Sequence, residues 1–173
     1  MSGAASSKVG FVVIGRNEGE RLVACLNSIR SVSSRIVYAD SASTDGSMAT
    51  ARGLNVETVA VEGRPLSAAR GRNQGFARLR RAYPDCELIH FIDGDCVIMP
   101  DWVDAAVRFL GEHPDAAVAC GRRFEAHPEA SFYNRVIDGE WDTPVGPARS
   151  CGGDALVRVA AFDELSVFFQ QNA

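Results

Sequence analysis

Two acidic residues separated by one glycine follow a short apolar segment in the middle of the chain. Asp93-Gly94-Asp95 comes directly after residues 88–92 (LIHFI). A buried strand ending here would place two carboxylates at its carboxyl end, where ligands of open α/β sheets bind. Two neighbouring carboxylates need a positive partner, and Mg²⁺ typically takes one or two of them together with water and substrate phosphates. The segment therefore indicates a metal-bridged phosphate ligand.

A β-hairpin is the alternative structure for the same residues, because Asp-Gly between apolar residues is a common hairpin turn. The order of the surrounding elements favours the metal site. Apolar periodicity predicts strands at 9–14, 35–39, 55–61, 87–92 and 116–120, and helices at 18–29, 46–52, 65–82 and 102–110. This alternation predicts an α/β fold with a mainly parallel, Rossmann-like central sheet flanked by helices. Residues 121–148 are expected to be irregular.

Size and composition narrow the class of protein. The 173 residues predict a single domain, and 46% hydrophobic content is a globular value. A net charge of −4 argues against nucleic-acid binding, which needs concentrated positive charge. The five cysteines lack metal-ligand spacing and are expected to be mostly buried in a reducing compartment. The apolar run 9–14 is too short to span a bilayer, which predicts a soluble, cytoplasmic protein.

Four segments, in this order and spacing, resemble the family 2 glycosyltransferases, which have the GT-A fold. They are residues 12–18 (VVIGRNE), 38–46 (YADSASTDG), 69–75 (ARGRNQG) and 91–95 (FIDGD). Residues 140–144 and 151–154 are also similar to a bacterial subgroup of that family. The resemblance covers about residues 9–165, the part expected to bind the donor, and leaves 166–173 as an atypical tail.

The resemblance implies transfer of a sugar from a nucleotide diphosphate donor (a UDP-, GDP- or dTDP-sugar) to a hydroxyl of a glycan, lipid or protein acceptor. The implied reaction depends on Mg²⁺ or Mn²⁺ and inverts the anomeric centre, and the family allows peripheral association with the inner face of the membrane. The resemblance also implies Asp95 as the direct metal ligand. Asp93 would contact the ribose or a metal-bound water, and Gly94 would let the backbone approach the ligand.

Six further residues are implied in binding the nucleotide sugar: Gly15, Arg16, Glu18, Asp40, Arg72 and Asn73. The first three lie in the first strand-to-helix turn, which could equally be a plain turn. Asp40 would recognise base and ribose, or serve as a helix-capping or Asx-turn residue. Arg72 with Asn73 would reach the phosphates, whereas a solvated basic helix face is the alternative and is the expected role of the other arginines.

The general base is the part of the implied site for which the chain has no matching motif. In the family it lies beyond a Gly-Gly-Phe-Asp-like segment, and no acid follows Glu164 here, so the base is expected beyond the chain end. Asp154, Asp142 and Glu140 are the candidates within the chain. A non-catalytic sugar-nucleotide-binding module is therefore one alternative. A sugar-nucleotide nucleotidyltransferase is the other, although the loop at 15–18 is too short and too acidic for its phosphate grip.

Overall fold

The computed structural model describes residues 8–148 and 151–170, and for 165–170 only the backbone. The strands in this part of the chain are β1 (Val9–Gly15), β2 (Ile36–Asp40), β3 (Glu57–Ala60), β4 (Leu88–Asp93), β5 (Val118–Ala119) and β6 (Ala155–Arg158). The helices are α1 (Glu20–Arg30), α2 (Ser47–Gly53), α3 (Ala68–Ala82), α4 (Trp102–Glu112), α5 (Phe132–Glu140) and α6 (Val159–Gln170). None of the described helices is both long and apolar enough to cross a membrane.

The six strands form one sheet in the order β3-β2-β1-β4-β6-β5. The first four in this order run parallel, whereas β6 is antiparallel to both β4 and β5. The predicted α/β fold with a mainly parallel sheet is confirmed. The hairpin alternative is excluded, because the strands that pair with β4 are β1 and β6, both remote in sequence from the Asp93-Gly94-Asp95 turn.

The central strands are apolar throughout because both faces of the sheet are covered. Along β1, Phe11 and Val13 point into one core cluster with helix α1, while Val12 and Ile14 point into the other with helix α3. All four side chains are buried. Successive side chains of β1 enter opposite cores, and this fixes the register of the strand. A shift of one residue would move every side chain of β1 to the other core.

Helix α3 approaches the sheet closely at glycine positions. A Cβ atom built on Gly75 would overlap Cγ1 of Val12, and one built on Gly71 would lie 3.2 Å from Cγ2 of Ile14. The absence of side chains here lets α3 lie directly on β1 and β2. This contact positions the first turns of α3, including Arg72, at the carboxyl edge of the sheet.

Replacing Gly75 with alanine should therefore destabilise the fold. Overpacking a buried position costs about 1–3 kcal/mol, and the gain of up to about 1 kcal/mol from alanine's helix propensity offsets only part of it. We expect a lower free energy of unfolding in urea titrations. The matched control is Gly111→Ala near the end of α4, where an added Cβ meets no atom within 4 Å. That variant should be unchanged or more stable; a similar loss in both would contradict the packing argument.

The carboxyl-terminal third differs from the sequence prediction. Residues 121–148 are not wholly irregular, because α5 forms within them and Ser131 caps it by accepting a hydrogen bond from the backbone N–H of Asn134. Strand β5 is shorter than the predicted 116–120, and β6 and α6 were not predicted. The prediction of an atypical tail at 166–173 concerns side chains that lie outside the described residues.

The cysteine prediction is only partly correct. Cys25 and Cys86 are buried and Cys96 is half-buried, but Cys120 and Cys151 are exposed. The two exposed cysteines lie at the end of β5 and just before β6. Both positions adjoin segments whose secondary structure was not predicted from the sequence.

Candidate active site at the carboxyl edge of the sheet

The carboxyl ends of β1, β2 and β4 lie side by side. Gly15 is in register with Asp40 across β1 and β2, and Ile14 with Asp93 across β1 and β4. Beyond the last paired residue, the backbone N–H of Gly94 still donates to the carbonyl of Ile14 at 2.7 Å. The chain then turns, since the N–H of Cys96 donates to the carbonyl of Asp93 at 3.0 Å, and the two acids stay at the edge of the sheet.

The two acids of this turn have different surroundings. Asp93 Oδ1 accepts a hydrogen bond from Arg72 Nη2 at 2.9 Å, an ion pair in which both side chains are partly exposed. Its other oxygen faces Gly153, where an added Cβ would overlap Asp93 Oδ2. Asp95 is exposed, and its recorded contact is with the Cys96 thiol at 3.5 Å. Asp93 is thus engaged on both sides, whereas Asp95 is open to a ligand.

Asp154 adds a third carboxylate, carried to the same place by the start of β6. Both of its oxygens are buried and lack a hydrogen-bond partner of standard geometry among the described residues. The nearest cation is Arg123, whose Nε lies 4.0 Å from Asp154 Oδ2. Burial, and then the negative charge of Asp93, raises the pKa of Asp154, while Arg123 opposes the shift. A buried carboxylate with so little compensation is costly unless a positive group joins it.

The three acids form one cluster whose chemistry fits a hard divalent cation. Asp154 lies beside Asp93, because its neighbour Gly153 faces Asp93 Oδ2 and its other neighbour Ala155 pairs with Phe91. The charges of Asp154, Asp95 and Asp93 all add to burial in raising the pKa of the nearby Cys25 thiol. Carboxylate oxygens are the ligands preferred by Mg²⁺ and Mn²⁺. Among the described residues no three acidic, histidine or cysteine side chains already have ligating geometry. The residues fit such an ion provided that Asp93 and its neighbours reorient.

The loops after β1 and β2 are joined by hydrogen bonds through Asn17 and Asp45. The N–H of Asn17 donates to Ser43 Oγ at 2.9 Å, and its side-chain oxygen accepts from the N–H of Thr44 at 2.7 Å. Asp45 accepts from the N–H of Gly19 at 3.0 Å. Its other oxygen accepts from the Ser47 backbone and hydroxyl at the start of α2, and these bonds lower the pKa of Asp45. The two loops therefore form one rigid rim beside the acid cluster.

Asp40 is buried beneath this rim and already hydrogen-bonded. It is 3% exposed; Oδ1 accepts from the Tyr38 hydroxyl and Oδ2 from the N–H of Ser43, both at 2.9 Å. The bond from Ser43 is a local side-chain-to-backbone contact of the kind a capping or turn residue makes, but it spans three residues and not the two of an Asx-turn. Each carboxylate oxygen can accept two hydrogen bonds, so capacity for a ligand is left. Its role in recognising a nucleoside stays a prediction.

The remaining predicted residues divide between the edge of the sheet and the surface. Glu18 packs against the acid turn, since an added Cβ on Gly94 would lie 3.2 Å from Glu18 Cγ, and it pairs with Arg21 at 2.8 Å. Arg16 and Asn73 are exposed, flanking the same edge. Asp142 pairs with Arg122 at 3.4 Å. Glu140 is exposed at the end of α5, so of the three candidate bases the structure brings Asp154 to the acid cluster.

Sequence comparison agrees with this architecture. The model of the glycosyl transferase family 2 domain matches residues 11–161, which is most of the chain and includes every strand but the first residues of β1. The chain belongs to glycosyl transferase family 2. No curated protein matched it.

Solved structures with low sequence identity share the fold of this family 2 chain. Glucosyl-3-phosphoglycerate synthase from Mycobacterium tuberculosis, in complex with UDP, is 19% identical with a TM-score of 0.59, and the match covers 90% of this chain and 59% of that one. Mannosyl-3-phosphoglycerate synthase from Rubrobacter xylanophilus is 15% identical with a TM-score of 0.60, covering 88% and 53%. The family 2 chain therefore spans little more than half the length of these structures.

Arg123 is the member of the site that sequence reasoning missed. Besides facing Asp154, its guanidinium lies 4.6 Å from the ring centroid of Trp141, just after α5. The guanidinium also approaches Gly152, where an added Cβ would be 2.7 Å from its Nη2. The sequence shows only two adjacent arginines, Arg122 and Arg123, in a segment predicted to be irregular. It does not indicate which residue either arginine would contact. Arg123 links the position of α5 to the buried carboxylate.

Proposed function

We propose that this chain forms the donor site of a metal-dependent glycosyltransferase that transfers a sugar from a nucleotide diphosphate sugar to an acceptor hydroxyl. The observation that carries the proposal is the cluster of Asp93, Asp95 and Asp154 at the carboxyl edge of the sheet, where the buried oxygens of Asp154 have no hydrogen bond of standard geometry among the described residues. Such a cluster has an excess of negative charge that a divalent cation would neutralise. The cation in turn would let the anionic diphosphate approach.

Each part of the edge has a role in this proposal. Asp95, being exposed, is the first carboxylate to receive the metal, and Asp93 is the second. A bound Mg²⁺ or Mn²⁺ would supply Lewis-acid stabilisation of the departing diphosphate. The rim formed by the loops after β1 and β2 would hold the nucleoside, with Asp40 beneath it and Arg16 at its outer side. Arg72 is within reach of both the acid turn and an incoming phosphate.

The ligands of the solved structures support the choice of donor and metal. One structure of the M. tuberculosis glucosyl-3-phosphoglycerate synthase contains Mn²⁺, UDP-glucose and phosphoglyceric acid, at 18% identity and a TM-score of 0.59. UDP-glucose with Mn²⁺ is therefore the first donor to test, and 3-phosphoglycerate the first acceptor. GDP- and dTDP-sugars, and glycan or lipid acceptors, form the second set.

Asp95→Asn tests the metal site. The variant removes a charge but keeps the shape, so UDP binding in the presence of Mn²⁺ should weaken by about 1–3 kcal/mol, the scale of a lost charge-assisted contact. Isothermal titration calorimetry with and without Mn²⁺ measures it. Asp115→Asn is the matched control, because Asp115 is exposed in the turn after α4. Equal UDP affinity for Asp95→Asn and the parent protein would refute the metal assignment.

A turnover assay separates the enzyme from its two alternatives. Release of UDP that depends on acceptor supports transfer, whereas metal-dependent UDP binding without turnover supports a binding module. Release of pyrophosphate from a nucleoside triphosphate and a sugar phosphate would support a nucleotidyltransferase instead.

A further inference from the structure

The ion pair between Arg72 and Asp93 occupies the carboxylate that the proposed metal would need. Arg72 Nη2 lies 2.9 Å from Asp93 Oδ1, and the side chains are 27% and 36% exposed. Neither group is locked in the core, so the pair can open without disturbing it. The other Asp93 oxygen is shielded by Gly153, and an added Cβ there would also lie 2.9 Å from Arg72 Nη2. Asp93 is partly exposed, so a cation can reach Oδ1, where it competes with Arg72 for the same oxygen.

The charges around the pair explain why an arginine is held there. Glu18 adds a fourth carboxylate beside the acid turn, since its Cγ would lie 3.2 Å from a Cβ added on Gly94. Three arginines oppose them in the described structure: Arg72 on Asp93, Arg123 on Asp154 and Arg21 on Glu18. Removal of Arg72 would leave Asp93 facing Asp154 without compensation. A divalent cation on the same oxygens would provide that compensation equally well.

We infer that Arg72 is a positioning residue that serves as an internal counter-ion: it neutralises Asp93 in the ligand-free protein and transfers to the donor's diphosphate when a divalent cation takes its place. The inference rests on the proposed function. In this inference the Arg72 side chain has opposite effects on the binding of the metal and of the diphosphate. Arg72 competes with the metal for Asp93, but it assists the diphosphate, whose oxygens suit a guanidinium fork.

This exchange predicts that metal and nucleotide bind cooperatively. The metal releases Arg72, which the diphosphate then engages, and the diphosphate holds Arg72 away from Asp93, which favours the metal. Because such coupling is reciprocal, each ligand should tighten the other by the same factor. Asp95 needs no exchange, since its recorded contact is the neighbouring thiol, so it gives the metal a first ligand before Arg72 moves.

The test measures two affinities in one set of variants. Mn²⁺ alone is titrated and the free ion is followed by its electron paramagnetic resonance signal; UDP is then titrated by calorimetry in saturating Mn²⁺. Arg72→Gln should bind Mn²⁺ alone about tenfold more tightly, the lower end of the effect of an adjacent charge on a carboxylate. The same variant should bind UDP with Mn²⁺ about tenfold more weakly. Arg72→Lys, which keeps the charge, should restore most of both values.

Arg78→Gln is the matched control on the same helix. Arg78 also forms an ion pair with an acid, Glu57 on β3, but away from the acid cluster, so its loss should leave both affinities unchanged. Melting temperatures of all variants show whether each is folded.

If Arg72 had a merely structural role, the Arg72→Gln variant could not bind Mn²⁺ more tightly and UDP more weakly at the same time. If Arg72→Gln weakens both ligands, or changes neither, the counter-ion inference is overturned. If the unchanged protein binds no UDP with Mn²⁺, the proposed function fails. In that case a tighter Mn²⁺ affinity in Arg72→Gln would still support the competition for Asp93, and would overturn only the transfer to diphosphate. Failure of both proteins to bind Mn²⁺ overturns the whole exchange.

Discussion

Asp154→Asn should lower sugar transfer by about 10²–10⁴-fold, the usual contribution of a general base, while UDP binding with Mn²⁺ changes much less. The geometry favours Asp154 over the other candidates because it lies beside the acid cluster, whereas Asp142 is paired with Arg122. Its two oxygens lack hydrogen-bond partners of standard geometry among the described residues, with Arg123 4.0 Å from Oδ2, and can accept a proton from an acceptor hydroxyl. The raised pKa makes it a stronger base than an ordinary aspartate.

The measurement is acceptor-dependent release of UDP from UDP-glucose, together with UDP affinity for each protein. Asp142→Asn and Glu140→Gln are the controls, and both should retain turnover. Because a base acts only when deprotonated, turnover should also fall with decreasing pH as Asp154 becomes protonated. An unchanged rate in Asp154→Asn would exclude it. Absence of turnover in the parent protein would leave Asp154 without support as the base.

The parallel half of the fold was predictable because its signals are local and repeated. Runs such as 9–14 are apolar at every position, as strands covered on both faces must be, and each is followed by a helical stripe. The position of Asp93 then follows from topology alone, since parallel strands end at one edge. Gly75 could not be interpreted from the sequence, because a glycine within a helix indicates close packing only once its partner, Val12, is known.

The antiparallel part of the sheet was not predictable, because its signals in the sequence are short and its contacts are long-range. Strand β6 contains only three consecutive apolar residues, Ala155 to Val157, and a run this short does not distinguish strand from helix. Helix α5 is capped by Ser131, but none of its residues is buried. Its apolar stripe therefore does not pack against the core. The pairing of β6 with β4 is a long-range contact. Asp154 could therefore be named from the sequence as a candidate, but not placed beside Asp93.

The ion pairs at the site show the same limit. That Arg72 would matter more than Arg78 was suggested by its place in a family-like segment, and both arginines prove to be paired with acids. Only the three-dimensional structure distinguishes a pair at the acid cluster from one on the outer side of α3. The role of each arginine thus depends on which acid it contacts, and its spacing along the helix does not determine that contact.

Lowering the pH from about 6.5 to 4 should destabilise the protein by up to about 3 kcal/mol through His90 alone. His90 is 1% exposed, stacks on Phe11, and accepts a hydrogen bond from Trp102 Nε1 at Nε2, 2.9 Å away. Burial lowers its pKa from 6.5 to about 4, an effect that the Phe91 backbone only partly offsets. His90 is therefore a core residue, although its Nδ1 lacks a standard hydrogen-bond partner among the described residues.

The sign follows from proton binding. Between pH 4 and 6.5 the unfolded chain carries a proton on this imidazole that the native protein does not, so stability falls as the pH falls through that interval. Urea titrations across the interval measure the slope of unfolding free energy against pH. His90→Gln should flatten the slope whatever its effect on absolute stability, because glutamine cannot titrate. His127→Gln, which changes an exposed histidine, should keep the parental slope. A parental slope in His90→Gln would mean that other groups govern the acid sensitivity, and that the buried imidazole is already protonated or relieved by local opening.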